Sequence, residues 1–129
     1  MTFGEAISRC LGDYAEFSGR SSRAEFWLFA LFHLLCVAGA AALDLAFTLG
    51  MGAPAPLCTL LTWLALLLPG AAVQVRRLHD VGRGGRWLAL AVVPLIGPAA
   101  LLMLYLMPGE PEANRFGPPA EQRDGLRWA

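Results

Sequence analysis

The chain contains no lysine: all ten of its basic side chains are arginine, ten acids balance them, and the net charge is zero. That balance gives no basic surface for nucleic acid, so none is expected as a partner. Charged residues of either sign are also scarce, at 16% against 57% hydrophobic over 129 residues. A soluble domain of this size carries more charge and less oil, which leaves a small integral membrane protein. Three cysteines, Cys10, Cys36 and Cys58, are odd in number and far apart, so they fit neither a disulfide framework nor a metal site and read as small buried hydrophobes. There is no phosphate-binding loop, dinucleotide fingerprint, nucleophile elbow or metal-ligand set. No catalytic residue, metal or cofactor is expected. Ala38-Gly39-Ala40 resembles a signal-peptidase site, but the apolar run starts behind a helical segment and continues past it, so no cleavage is expected.

What remains is a single membrane domain, residues 1–129, of all-α class. From Phe3 to Tyr14 the apolar residues Phe3, Ile7, Cys10, Leu11 and Tyr14 recur at helical steps, with Glu5, Ser8, Arg9 and Asp13 opposite. That pattern predicts an amphipathic interfacial helix over about 3–17, with packing on the rest of the chain as the alternative. Ser22-Arg23-Ala24-Glu25 has the spacing of a capping box, in which serine and glutamate satisfy each other's free backbone N–H groups. The apolar stretch that follows predicts a first span over about 24–49, with Phe26 and Trp27 at its near interface. A second span is expected over 57–75, carrying Pro69-Gly70, and a third over 87–107, broken by Pro94 and Gly97-Pro98. The third is read as a kinked full crossing, with a re-entrant hairpin as the alternative. Residues 108–129 read as a polar, irregular tail.

Orientation follows from arginine. Three spans put Arg9, Arg20, Arg23, Arg76, Arg77, Arg83 and Arg86 on one side and only Arg115, Arg123 and Arg127 on the other. The richer side is cytoplasmic by the positive-inside rule, which places the N-terminus there. The tail then lies outside, or inside if the third segment is re-entrant.

Antiparallel first and second helices bring two charged stretches together, Gly19 to Glu25 and Arg76-Arg77-Leu78-His79-Asp80, with Arg83 and Arg86 beyond. Arg76 and Asp80 stand one turn apart, and Glu25 is within reach of the other stretch. The first reading is a set of internal ion pairs in which Glu25, His79 and Asp80 orient the arginines. The second is an anion site, in which Arg20, Arg23, Arg76, Arg77 and Arg83 hold a lipid phosphate. The third makes His79, oriented by a carboxylate such as Asp80, a general acid or base. His33 falls inside the hydrocarbon region and is expected to hydrogen-bond a neighbouring helix, whereas Asp44 is expected at a solvated outer end. Ala38, Ala42 and Ala46 form a small-residue strip suited to internal or oligomer contacts.

The ordered series Phe17-x-Gly19-Arg20-x-x-Arg23-x-Glu25-Phe26-Trp27, Pro69, Arg76 to Asp80, Arg83, Trp87, Pro94-x-x-Gly97, Gly109 and Asn114-Arg115-Phe116-Gly117-Pro118 resembles the small bacterial inner-membrane proteins of the YhaH type, domain of unknown function 805. The resemblance runs from about Tyr14 to Pro119. It departs at Gly84-Gly85-Arg86-Trp87, where the family usually has serine, glycine and two tryptophans. It implies a multi-pass protein of the bacterial inner membrane and no assigned reaction. The expected function is a non-enzymatic interaction or accessory module whose cytoplasmic arginines engage anionic lipid headgroups or an acidic partner, as a homo-oligomer or beside another membrane protein. One alternative is an oligomeric transport component using His33, Gln74 and the arginines. The other is an enzyme acting on a phosphorylated lipid through His79 and Asp80.

Overall fold

The computed structural model describes residues 1–52, 56–120 and 122. Among them run α1 (Phe3–Gly12), α2 (Arg23–Met51), α3 (Leu57–Asp80), a 3-10 helix (Gly85–Val92) and α4 (Ile96–Leu106). α1 opens on a complete capping box: Thr2 Oγ1 accepts from the Glu5 N–H at 3.3 Å and the Glu5 carboxylate accepts from the Thr2 N–H at 2.7 Å. The helix stops at Gly12, short of the expected 17. Ala6 and Cys10 are buried, and Phe3 meets Phe32 of α2 edge-on at 6.5 Å. Part of its apolar stripe is therefore spent on α2, while Leu11, Tyr14 and Phe17 stay exposed.

α2 and α3 pack as an antiparallel pair, and each is long and apolar enough to cross a membrane. At the α-helical rise, 29 and 24 residues reach about 44 and 36 Å, against a hydrocarbon core of about 30 Å. α2 begins at Ser22, whose hydroxyl accepts from the Glu25 N–H at 3.2 Å. Only that half of the expected capping box forms, because the Glu25 side chain is drawn to Arg9, Cys10 and Arg76. α3 continues through Pro69. Proline has no N–H, so the Ala65 carbonyl one turn earlier loses its helical donor. Tyr14 supplies a replacement, its hydroxyl donating to that oxygen at 2.6 Å.

The expected third crossing is not one helix. The eight-residue 3-10 helix spans about 16 Å and the eleven-residue α4 about 17 Å. The two lie against each other as a hairpin, tight enough that a Cβ at Gly97 would sit 1.6 Å from the Leu90 carbonyl oxygen. The reversal is a γ-turn centred on Leu95, with φ 64 and ψ −58 and the Ile96 N–H donating to Pro94 O at 2.7 Å. The two prolines and the glycine that suggested a kinked span break it completely. The chain thus returns to the end of the molecule where it left α3.

This asymmetry places the core. Phe26, Phe29, Leu66, Val73, Leu78, Leu101 and Tyr105 cluster where α2 begins and α3 ends, with α1, the 3-10 helix and α4 packed around them. The far half is a bare two-helix hairpin, with Leu34, Leu43, Leu45, Leu49, Leu57 and Leu61 exposed. Ala38, Ala42 and Ala46 lie on that outer surface, so the strip does not serve packing between α2 and α3.

Candidate functional site

Charged side chains fill the interior of the packed end. Arg20, Glu25, Arg76, Arg77, His79 and Asp80 are all buried. Burial of so many ions is tolerated only when each is paired and hydrogen-bonded. The turn before α2 delivers Arg20 and Ser21 to the last turns of α3, tied by a Ser21 N–H bond to Arg76 O at 3.0 Å.

Arg20 is the hub. Its Nε donates to Asp80 Oδ1 at 2.8 Å. Nη1 reaches the carbonyls of Glu112 and Gly117 at 2.9 and 3.3 Å, and Nη2 those of Asp80 and Glu110 at 3.2 and 2.6 Å. All five guanidinium N–H donors are thereby engaged. Arg77 takes the other Asp80 oxygen, with further bonds to the carbonyls of Ser21, Tyr105 and Met107. Arg76 points the other way, toward α1, donating to Asp13 Oδ2 at 2.9 Å and lying 3.4 Å from Glu25 Oε1. Glu25 is shared with Arg9 at 3.4 Å and accepts from the Cys10 thiol. Burial, reinforced by the Glu25 carboxylate, pushes the Cys10 thiol up to about 12.

The expected convergence of the two charged stretches is present, and Glu25 does reach an arginine of the second. The pairing differs in one respect: Asp80 pairs with Arg77 at i,i+3 and not with Arg76. One residue of helical rotation, about 100°, carries Arg76 to the α1 side. His79 and Asp80 do not form an acid–base pair. Both Asp80 oxygens are held by arginine, while His79 Nδ1 bonds Gly19 O at 2.9 Å and its ring stacks on Phe116 at 3.8 Å. Asp44 is not solvated, since it is buried beside the start of α3. His33 turns to α3 as expected, but its ring meets Trp63 edge-on at 5.9 Å and packs on Gly70, without a hydrogen bond among the described residues. Gln74 is engaged within the fold, accepting from Tyr105 Oη and donating to Gly70 O, both at 3.1 Å.

Three contributors were not anticipated from the sequence. Arg9 comes from α1 and Asp13 from its C-cap, and the tail, expected to be irregular, forms a strap. Glu110 N–H bonds Asp80 O, Asn114 Nδ2 bonds His79 O, and Asn114 and Gly117 close a turn. Gly109 lies so close that a Cβ there would meet Asp80 Oδ2 at 2.1 Å. The chain's one asparagine, in Asn114-Arg115-Phe116-Gly117, was the available signal. Residues 121 and 123–129 of the tail lie outside the described residues.

The outward arginines are a separate set. Arg23, Arg83, Arg86 and Arg115 are exposed, and none pairs with a carboxylate among the described residues. Among the described residues Arg23 has only the Leu106 carbonyl, at 3.5 Å. Of the five arginines expected to hold a lipid phosphate, three are thus interior and two, Arg23 and Arg83, face out.

Residues 14–118 match the family described as "Protein of unknown function (DUF805)". The Inner membrane protein YhaI of Escherichia coli (strain K12) is 37% identical over 107 residues, covering 83% of this chain and 87% of that protein. The Inner membrane protein YhaH of the same organism is 33% identical over 110 residues, covering 85% and 91%. The uncharacterized protein YiiR, also from that strain, is 36% identical over 83 residues, 60% of this chain and 49% of its own. No solved structure matches. With the family match running from Tyr14 to Pro118 across both long apolar helices and the strap over the buried arginines, the chain belongs to the DUF805 family of small bacterial inner-membrane proteins.

Proposed function

We propose that the chain is a non-enzymatic accessory module of the inner membrane whose outward arginines hold anionic lipid headgroups. α2 and α3 are its two crossings, and the apolar hairpin of the 3-10 helix and α4 re-enters one leaflet and returns. The N-terminus and the tail then share the cytoplasmic side, in keeping with the excess of arginine in the short segments at that end. The hairpin packs on α3 along part of its length, while its tip, Val92 to Ile96, is exposed.

The division of the arginines carries this reading. Those inside pair with Asp13, Glu25 and Asp80, although Arg76 Nε and Nη2 have no hydrogen-bond partner among the described residues, so they serve the fold. Those outside have no carboxylate among the described residues. On a bilayer-embedded protein, the anions present at highest local concentration are the headgroups. Native mass spectrometry of the protein from nanodiscs of mixed anionic and neutral phospholipid tests it. The unmodified protein is expected to retain anionic lipid in preference, and the combined variant Arg23→Gln, Arg83→Gln, Arg86→Gln to lose about fivefold of that preference per arginine. Equal retention of both lipids by the unmodified protein overturns it.

A further inference from the structure

Arg83 and Arg115 are positioned differently from every arginine inside the cluster. The Arg83 guanidinium lies over the Trp87 ring and that of Arg115 over Phe116, each with Cζ 4.6 Å from the ring centroid. Stacking on a ring face fixes the plane of a guanidinium without using its N–H donors, so the fork stays available for an oxyanion. Phe116 is itself clamped on His79, which steadies Arg115. The two arginines border the same loop, Gly82-Arg83-Gly84-Gly85: a Cβ at Gly84 would lie 3.6 Å from Arg115 Nη2. Glu110, whose carboxylate lies against Gly82, accepts from Asn114 Nδ2 at 2.8 Å and pairs with neither arginine.

Beside this loop the 3-10 helix carries a shallow groove of about 430 Å³, bordered by Arg86, Trp87, Ala89 and Leu90. One cation stands at its edge and the rest of its lining is apolar. Loop and groove together have the polarity of a phospholipid, anion at one end and hydrocarbon at the other.

We propose that this place binds one anionic phospholipid molecule, with its phosphate on Arg83, Arg86 and Arg115 and an acyl chain along Trp87, Ala89 and Leu90. The proposal rests on the headgroup reading above and narrows it to a single site. Arg86 and Arg115 acquire a role that the buried cluster does not assign to them.

The test uses the full chain in nanodiscs of phosphatidylglycerol and phosphatidylcholine, read by native mass spectrometry for one tightly retained anionic lipid. Arg83→Gln with Arg86→Gln is expected to lower its occupancy by about fivefold per arginine. Ala89→Trp, which fills the groove on an exposed position, is expected to expel it while leaving thermal unfolding unchanged. Arg23→Gln, outside this site, is expected to weaken the general anionic preference but to keep this one tightly retained lipid. If both site variants retain the lipid and Arg23→Gln alone releases it, the headgroup reading stands and this site is wrong. If the unmodified protein shows no anionic preference, both fall. Glycerol phosphate without acyl chains is expected not to compete; competition equal to that of the intact lipid marks a free-phosphate site and overturns the proposal.

Discussion

Two aspartates are buried at opposite ends of the α2–α3 pair, and the fold neutralises them in different ways. Asp80 sits between two guanidinium groups, Arg20 and Arg77, inside a shell contributed by four stretches of chain. Asp44 has no cation among the described residues. It accepts from the backbone N–H groups of Cys58 and Thr59 at 2.9 and 2.8 Å and from the Thr59 hydroxyl at 2.6 Å. α3 starts at Pro56 without a side-chain cap of its own, and the free N–H groups of its first turn are what a carboxylate at a helix N-terminus satisfies. Asp44 caps α3 from the neighbouring helix. One end of the pair is therefore an ionic core that joins many segments, and the other a two-helix contact that needs only one acceptor.

That contrast can be broken from either side. The largest effect is expected for Asp80→Asn, which leaves Arg20 and Arg77 buried without their shared carboxylate. A loss of about 3–5 kcal/mol is expected, read by thermal unfolding in detergent. A change equal to that of the Asp44 variant would mean the two ends are equivalent. Asp44→Ala removes a cap and is expected to cost about 1–2 kcal/mol, with Asp44→Asn recovering part because the amide oxygen still accepts. Tyr14→Phe deletes the donor to the Ala65 carbonyl and is expected to cost about 1 kcal/mol. The double variant with Pro69→Ala, which restores the helical donor, is expected to show a smaller loss.

At neutral pH the smallest effect is the one that depends on pH. The Cys10 thiol is raised from 9.0 to about 12 in the fold. Below pH 9 both folded and unfolded chains keep the proton, so its contribution is constant. Between 9 and 12 the unfolded chain loses the proton and the folded one retains it, so this contribution to stability falls as pH rises. In the folded protein at pH 8, Cys10 is expected to resist maleimide until denaturant is added. Rapid labelling of the native protein at that residue would show the ionic end to be open.

Local features were legible because local chemistry sets them. The helix start at Ser22 and the long apolar runs depend on residues a few positions apart. Pro94 and Gly97-Pro98 announced a break, but not its outcome. Whether such a segment kinks or folds back depends on whether α4 finds a surface, and it finds the 3-10 helix through Gly97. Asp44 was misread for a similar reason: its value comes from the unsatisfied first turn of another helix, which composition near Asp44 does not report. The charged stretches were readable as partners, yet their pairing was not. Spacing favours Arg76 with Asp80, and packing gives Asp80 to Arg77 and Arg20.

By itself, then, the sequence determined an all-α membrane protein with two long apolar helices, a charged end rich in arginine, and no recognisable catalytic or metal set. Length, periodicity and the cost of placing charge in hydrocarbon suffice for that. Its expectation of a third full span did not foresee the hairpin. Only the tertiary structure decided which arginines are spent and which face out. Arg20 meets Asp80 across 60 positions and Gly117 across 97, and partners so distant are selected by how the helices and the tail pack, not by spacing along the chain.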